Sequence, residues 1–178
     1  MTGAYRPWLI ASLLGLVAAA IGYRITLDRA PGLLMAAAER RVAAAGAWNT
    51  MSFGPLATDR ARAIVRPSPD LAYASCPFDL AKGPVVVEAL PVAAPYWSLS
   101  VFGAQTDVAF VRNNRQSGDR PIRIALVRAG MVAPAGYEPV AVPADRGIAL
   151  IRILVADRAG FAALDQARRL SSCRAIAG

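Results

Sequence analysis

Residues 68–86, SPDLAYASCPFDLAKGPVV, hold a cysteine, two aspartates, a tyrosine and the only lysine of the chain within nineteen positions. Cys76 would act as a nucleophile if a cation or a helix amino terminus stabilised its thiolate. Asp70 and Asp79, joined by Asp107, would form a cation site or an acid–base pair if the fold gathered them. Each has a plainer reading. Cys76 falls in a candidate strand on the same side as Ala74 and Phe78, where a small buried hydrophobe is the default. Asp70 after Pro69, and Asp79 opening DLAKGP, have the local chemistry of turn residues. Tyr73, Tyr96, Trp97 and Phe102 read as core and cross-strand aromatics, with a platform for a sugar or aromatic ligand as the alternative. Arg152 reads as half of an ion pair with an aspartate, or as the contact for an anionic ligand. Asp70, Tyr73, Tyr96, Trp97, Asp107 and Arg152 are therefore the ligand-binding candidates, and no residue is assigned a catalytic role.

The chain has no histidine among its 178 residues. This excludes imidazole ligands, Ser-His-Asp and Cys-His nucleophile systems and imidazole acid–base chemistry. No metal and no cofactor are expected, and the balance leans away from an enzyme. The formal charge of +8 comes from 19 arginines and Lys82 against 12 acidic residues, and the basic residues are spread singly or in pairs with no long run. That dispersal argues against nucleic acid as a partner.

Something must nevertheless meet lipid, because 56% of the residues are hydrophobic and the mean hydropathy is +0.39. Trp8 to Tyr23, WLIASLLGLVAAAIGY, carries no charge and lies between Arg6 and Arg24. With its neighbours it approaches the ~17 residues that span a thin bilayer, and Trp8 and Tyr23 stand where interfacial aromatics belong. A retained anchor, a cleaved signal and a buried core helix all fit, and the flanking arginines and aromatics favour the anchor, residues 1–27. Arg24 and Arg29 beyond the span tilt a literal positive-inside count toward a cytoplasmic body.

Residues 28–59 read as a stalk or packing helix and linker. Pro31 and Gly32 open it, Gly46 stops it, and Glu39, Arg40 and Arg41 cluster on its outside. Residues 60–174 then change to short β-branched and aromatic runs. Candidate strands are Ala63 to Arg66, Leu71 to Phe78, Pro84 to Leu90, Tyr96 to Phe102, Val108 to Val111, Ile122 to Arg128, Pro139 to Val142 and Ile148 to Val155. The tail from Gly160 to Leu170 spaces Phe161, Leu164 and Ala167 as a closing amphipathic helix. This pattern predicts a mainly β fold, an antiparallel β-sandwich or jelly-roll-like domain.

The order SPDLAY, DLAKGPVVV, PYWSLSVFGAQTDVAF, IRILV and DQARRL, from Ser68 to Leu170, resembles the bacterial family of domain of unknown function 1254 over roughly residues 60 to 172. Ser68 and Leu71 depart from the asparagine and threonine usual in that family's first motif. The resemblance implies a β-sandwich-like fold, an exported body and no settled activity. It implies short membrane-anchored forms in Gram-negative bacteria, with the long members' second β-rich domain missing. It thus places the body in the periplasm on an inner-membrane anchor, with the lipid bilayer and a separately encoded companion β-domain as expected partners. The function expected is a non-enzymatic accessory or interaction module. The alternative is a ligand-binding protein or enzyme for a small or glycan-like envelope substrate. Export also permits a disulfide from Cys76 to Cys173, whose loop of close to a hundred residues would contribute ~4–5 kcal/mol in the chain-entropy view.

Overall fold

The computed structural model describes residues 6–58 and 67–176. The expected strand Ala63 to Arg66 lies outside them. The chain opens with one helix, α1 (Arg6–Ala45), of 40 residues and thus about 60 Å. A break at Pro31 was expected, because proline removes an N–H from the ladder and crowds the preceding turn. The helix instead runs through Pro31. Packing supplies the reason, since Met35 and Glu39, one and two turns beyond the proline, are buried against the rest of the protein. That tertiary contact holds the second half in line with the first. The stop at Gly46 follows the expectation.

The first half of α1 differs in kind. Its large apolar side chains from Trp8 to Leu27 have no protein against them, and the helix is long and apolar enough to cross a membrane.

The remainder is β1 (Ser52–Phe53), β2 (Leu71–Asp79), β3 (Val85–Ala89), β4 (Trp97–Gly103), β5 (Val108–Asn113), the one-turn α2 (Asn114–Ser117), β6 (Ile122–Val127), β7 (Glu138–Ala141), β8 (Arg146–Leu154), α3 (Phe161–Arg168) and β9 (Ser172–Ala175). The strands form two sheets, one of order β1-β2-β8-β4-β5 and one of order β7-β6-β3-β9. All pairings are antiparallel except β6 with β7.

The core lies between the sheets and is built by strict alternation, as the pleat requires. Ala72, Ala74, Cys76 and Phe78 of β2, Trp97, Leu99 and Val101 of β4, and Ala149, Ile151 and Ile153 of β8 face Val85, Val87 and Ala89 of β3 and Ile122, Ile124 and Leu126 of β6. None is more than 2% exposed. Phe78 dictates a glycine opposite it. A Cβ on Gly147, its register partner, would lie 2.6 Å from the Phe78 ring and 2.1 Å from the Phe102 carbonyl oxygen. The outer surface of the smaller sheet has its own cluster, in which Val86, Ala125 and Val127 are covered by Met131, Ala133 and Tyr137 from the segment leading into β7.

Sequence periodicity missed β1, α2 and β9. Two- and four-residue strands are too short to show a period. They exist because β2 and β3 offer them a hydrogen-bonding edge.

Candidate functional site

The outer face of the five-stranded sheet gathers some of the sequence candidates. Alternation places Tyr73 of β2, Arg152 of β8, and Ser98 and Ser100 of β4 on it, and the register sets Tyr73 beside Arg152 and Arg152 beside Ser98. The Arg152 Nη2 donates to Ser100 Oγ at 3.1 Å. Its Nε and the Ser98 hydroxyl are buried without a partner. The aspartate expected to pair with Arg152 is not there: among the described residues its side-chain partner is a serine. The Tyr73 hydroxyl accepts from the Ser68 N–H at 2.9 Å, which closes the SPDLAY turn onto the strand that follows it. Tyr96 immediately precedes β4, its carbonyl accepting from Leu154 N–H at 2.9 Å. This face can attract an anion, but a half-buried arginine beside two serines and a tyrosine provides neither a nucleophile nor an acid–base pair.

The other candidates are scattered. Trp97 is fully buried with its indole in the core, so it forms no ligand platform. Asp70 and Asp79 flank the nine-residue β2 at opposite ends, about 30 Å apart at strand rise. The carboxylate cluster therefore does not form. Asp107 closes the β4–β5 turn, accepting from the Gln105 N–H and returning its own carbonyl to the Gly103 N–H. Asp70 is an exposed turn residue whose carbonyl accepts from the Val155 N–H. Cys76 is bonded to Cys173, which excludes it as a thiolate nucleophile in this state. The bridge joins β2 of one sheet to β9 of the other, with a Cα–Cα distance of 6.3 Å, inside the range a disulfide spans.

Two polar centres were not foreseen. The first is Arg168, the first arginine of DQARRL, which is 1% exposed. Its guanidinium donates to Asp165 Oδ1 at 2.6 Å, to the Tyr73 carbonyl at 2.7 Å and to the Gly54 carbonyl at 2.7 Å. It also lies over the rings of Phe161 and Phe53. The last motif of the chain thus holds the backbone of the first. Burial works to raise the Asp165 carboxyl, but hydrogen bonds from Arg169 and Arg168 outweigh it and hold it below the ordinary carboxylate value.

The second centre is the junction of α1 with the sheets. Asn49 fixes the chain after the helix, donating through Nδ2 to the Asp79 carbonyl and accepting the Asp79 N–H at 2.7 Å. Arg146 pairs with Asp79 and stacks over Trp48. Glu39, expected on the outside of its helix, is instead 6% exposed, and its Oε1 has no partner. Burial raises its pKa, and nearby Arg146 and Arg40 only partly counter this while Asp79 adds to it. A raised folded pKa means that the native state binds the proton more tightly, so stability falls as pH rises from the unfolded value of 4.5 through the folded one. Glu39→Gln should therefore stabilise the protein at pH 7, by on the order of 1 kcal/mol, because the neutral amide has the same shape and no charge to desolvate. The gain should vanish below the unfolded value, as read by denaturant melts at pH 7 and in acid. An unchanged or larger gain in acid would contradict this.

The family model described as a protein of unknown function, DUF1254, matches residues 48–174. The chain belongs to the DUF1254 family. In this DUF1254 protein the match takes in β1 to β8, α3 and all but the last residue of β9, and it begins just after α1. No curated protein matches the chain. Among solved structures, the VPA0106 protein from Vibrio parahaemolyticus is similar with a TM-score of 0.56 at 16% identity, covering 61% of this chain and 28% of that one. An uncharacterized protein from Burkholderia cenocepacia has a TM-score of 0.48 at 20% identity, covering 88% of this chain and 42% of that one. The first shares the fold. The chain spans less than half the length of either structure.

Proposed function

We propose that this DUF1254 protein is a membrane-anchored envelope protein whose β-sandwich stands in the periplasm and serves as a non-enzymatic accessory or interaction module. The observation that carries the reading is the bonding of Cys76 to Cys173 inside the core of a domain that follows an uncovered apolar helix. A buried bridge between two sheets is suited to an oxidising compartment and rare in a reducing one. A 30 Å hydrocarbon layer is the natural cover for the bare half of α1. On this reading the positive-inside count is outweighed, since it rests on a margin of one or two arginines. The interaction role is supported by the use made of the polar side chains: Arg168, Asp165, Asn49 and Asp79 are all engaged in holding elements together. The partner we propose, beside the bilayer, is a separately encoded companion β-domain. The four-residue β9, paired among the described residues with β3 alone, offers it an open sheet edge.

The decisive experiment is a pair of carboxyl-terminal fusions to the full chain. Alkaline phosphatase should be active and the fluorescent counterpart dark. The reverse pattern would place the body in the cytoplasm and end the periplasmic reading.

A further inference from the structure

The way α1 crosses the sandwich fixes which edge faces the bare half of the helix. Gly32 lies against Gln105 of the β4–β5 turn, close enough that a Cβ there would be 2.9 Å from its amide nitrogen. Two turns on, Glu39 sits near Arg146 at the start of β8 and Asp79 at the end of β2. After the helix ends, Asn49 hydrogen-bonds Pro77 and Asp79 of β2. The contacts thus follow the order of the sheet, from the β4–β5 turn to β8 to β2. The helix axis runs across the strands, and the edge strand β5 is the edge that points back along the helix toward its apolar half.

The distances are short. Gly32 is five residues past Leu27, about 7.5 Å along the axis. With a hydrocarbon core of ~30 Å inside a bilayer of ~40–45 Å, that is the depth of one headgroup layer. The surface presented at this level is apolar. Val108 and Val111 of β5 are 60% and 55% exposed, and Leu33 and Leu34 of α1 are 67% and 57% exposed. Charges near them in sequence almost cancel, with Arg24, Arg29, Arg115 and Arg120 set against Asp28, Asp107 and Asp119, and Arg112 of β5 is paired with Glu138. Among the described residues no strand pairs with the outer side of β5. An open edge bearing exposed valines invites pairing with other chains unless something covers it.

We infer that the sandwich rests on the bilayer by its β5 edge, with Val108, Val111, Leu33 and Leu34 seated among the lipid headgroups. This rests on the membrane-anchor reading of α1. The near-neutral surround makes the contact apolar in character, so it does not need anionic lipid. Docking at this edge leaves β9, in the other sheet, open to a protein partner.

The test uses the full chain with its native disulfide intact, labelled with a fluorophore at one added cysteine and reconstituted into phosphatidylcholine vesicles. Labels at V111C and, separately, R115C should be quenched severalfold more by headgroup-spin-labelled lipid than a label at T50C, on the far side of the domain. The quenching should persist in high salt. A label at V17C should be quenched by acyl-chain spin labels. Equal, weak quenching at positions 111, 115 and 50 with strong quenching at 17 would overturn the docking and leave the anchor standing. Loss of quenching at 17 would overturn the anchor, and the docking with it.

Discussion

Replacing both Cys76 and Cys173 by alanine should lower the unfolding free energy by about 4–5 kcal/mol, the chain-entropy value for a loop of this size. The bridge spans 97 positions of sequence. The loop it closes contains β3 to β8 and α3, so the cross-link restricts most of the unfolded sandwich. In the folded state it does a second job. β9 is a four-residue edge strand paired, among the described residues, only with β3, and Cys173 is its one buried side chain, 7% exposed. Without the bond, the strand is held mainly by its ladder to β3 and by the Arg174 contact with the Tyr137 hydroxyl. Since domains are stable by ~5–15 kcal/mol in total, the double variant should be marginal at 37 °C. Denaturant unfolding followed by tryptophan fluorescence, with and without reductant, would measure the effect. A loss below about 1 kcal/mol for both reduction and substitution would show that the bridge is incidental to stability, contrary to its placement.

The same pair illustrates what could be read before folding and what could not. Alternation in LAYASCPF and IRILV is local, so the strands read as Leu71 to Phe78, with Ala74, Cys76 and Phe78 on one side, and as Ile148 to Val155 were legible and appear as Leu71–Asp79 and Arg146–Leu154. Which strand lies beside which is not local. Arg152 was expected to find an aspartate, because a half-buried charge calls for its opposite. The register set it between Tyr73 and Ser98 instead. Pro31 shows the converse error, where a strong local signal lost to packing at Met35 and Glu39. Glu39 itself was assigned to the outside because it stands next to two arginines. The side of a helix that becomes buried is decided by where the sandwich lies, which the helix sequence does not contain. The ligand candidates are not all gathered in one place for a related reason. Asp70, Trp97 and Asp107 are close to recognisable motifs, but two of them close turns and one fills the core.

Arg168 is where the sequence concealed most, because two adjacent arginines in DQARRL look alike and behave oppositely. Arg168→Ala should cost ~3–5 kcal/mol, since it strips three acceptors of a fully buried donor at once. Two of these are backbone carbonyls, of Gly54 and Tyr73, and the third is the Asp165 carboxylate. Arg168→Lys should recover only part of this, because one ammonium cannot reproduce the planar fork that reaches all three. Arg169 also pairs with Asp165, at 2.8 Å, but is 52% exposed, so Arg169→Ala should cost no more than ~1 kcal/mol. The pH dependence has a definite sign. Asp165 has its pKa lowered in the fold, so its contribution is fully present above the unfolded value of 3.8 and is lost as pH falls through the folded one. In acid, wild type should therefore lose stability that Asp165→Asn never had, and the difference between the two should narrow. Denaturant melts of wild type and the four variants at pH 7, with wild type and Asp165→Asn repeated in acid, would test the scheme. Equal costs for Arg168→Ala and Arg169→Ala would rule out the buried guanidinium as the clasp between α3 and the β1–β2 edge.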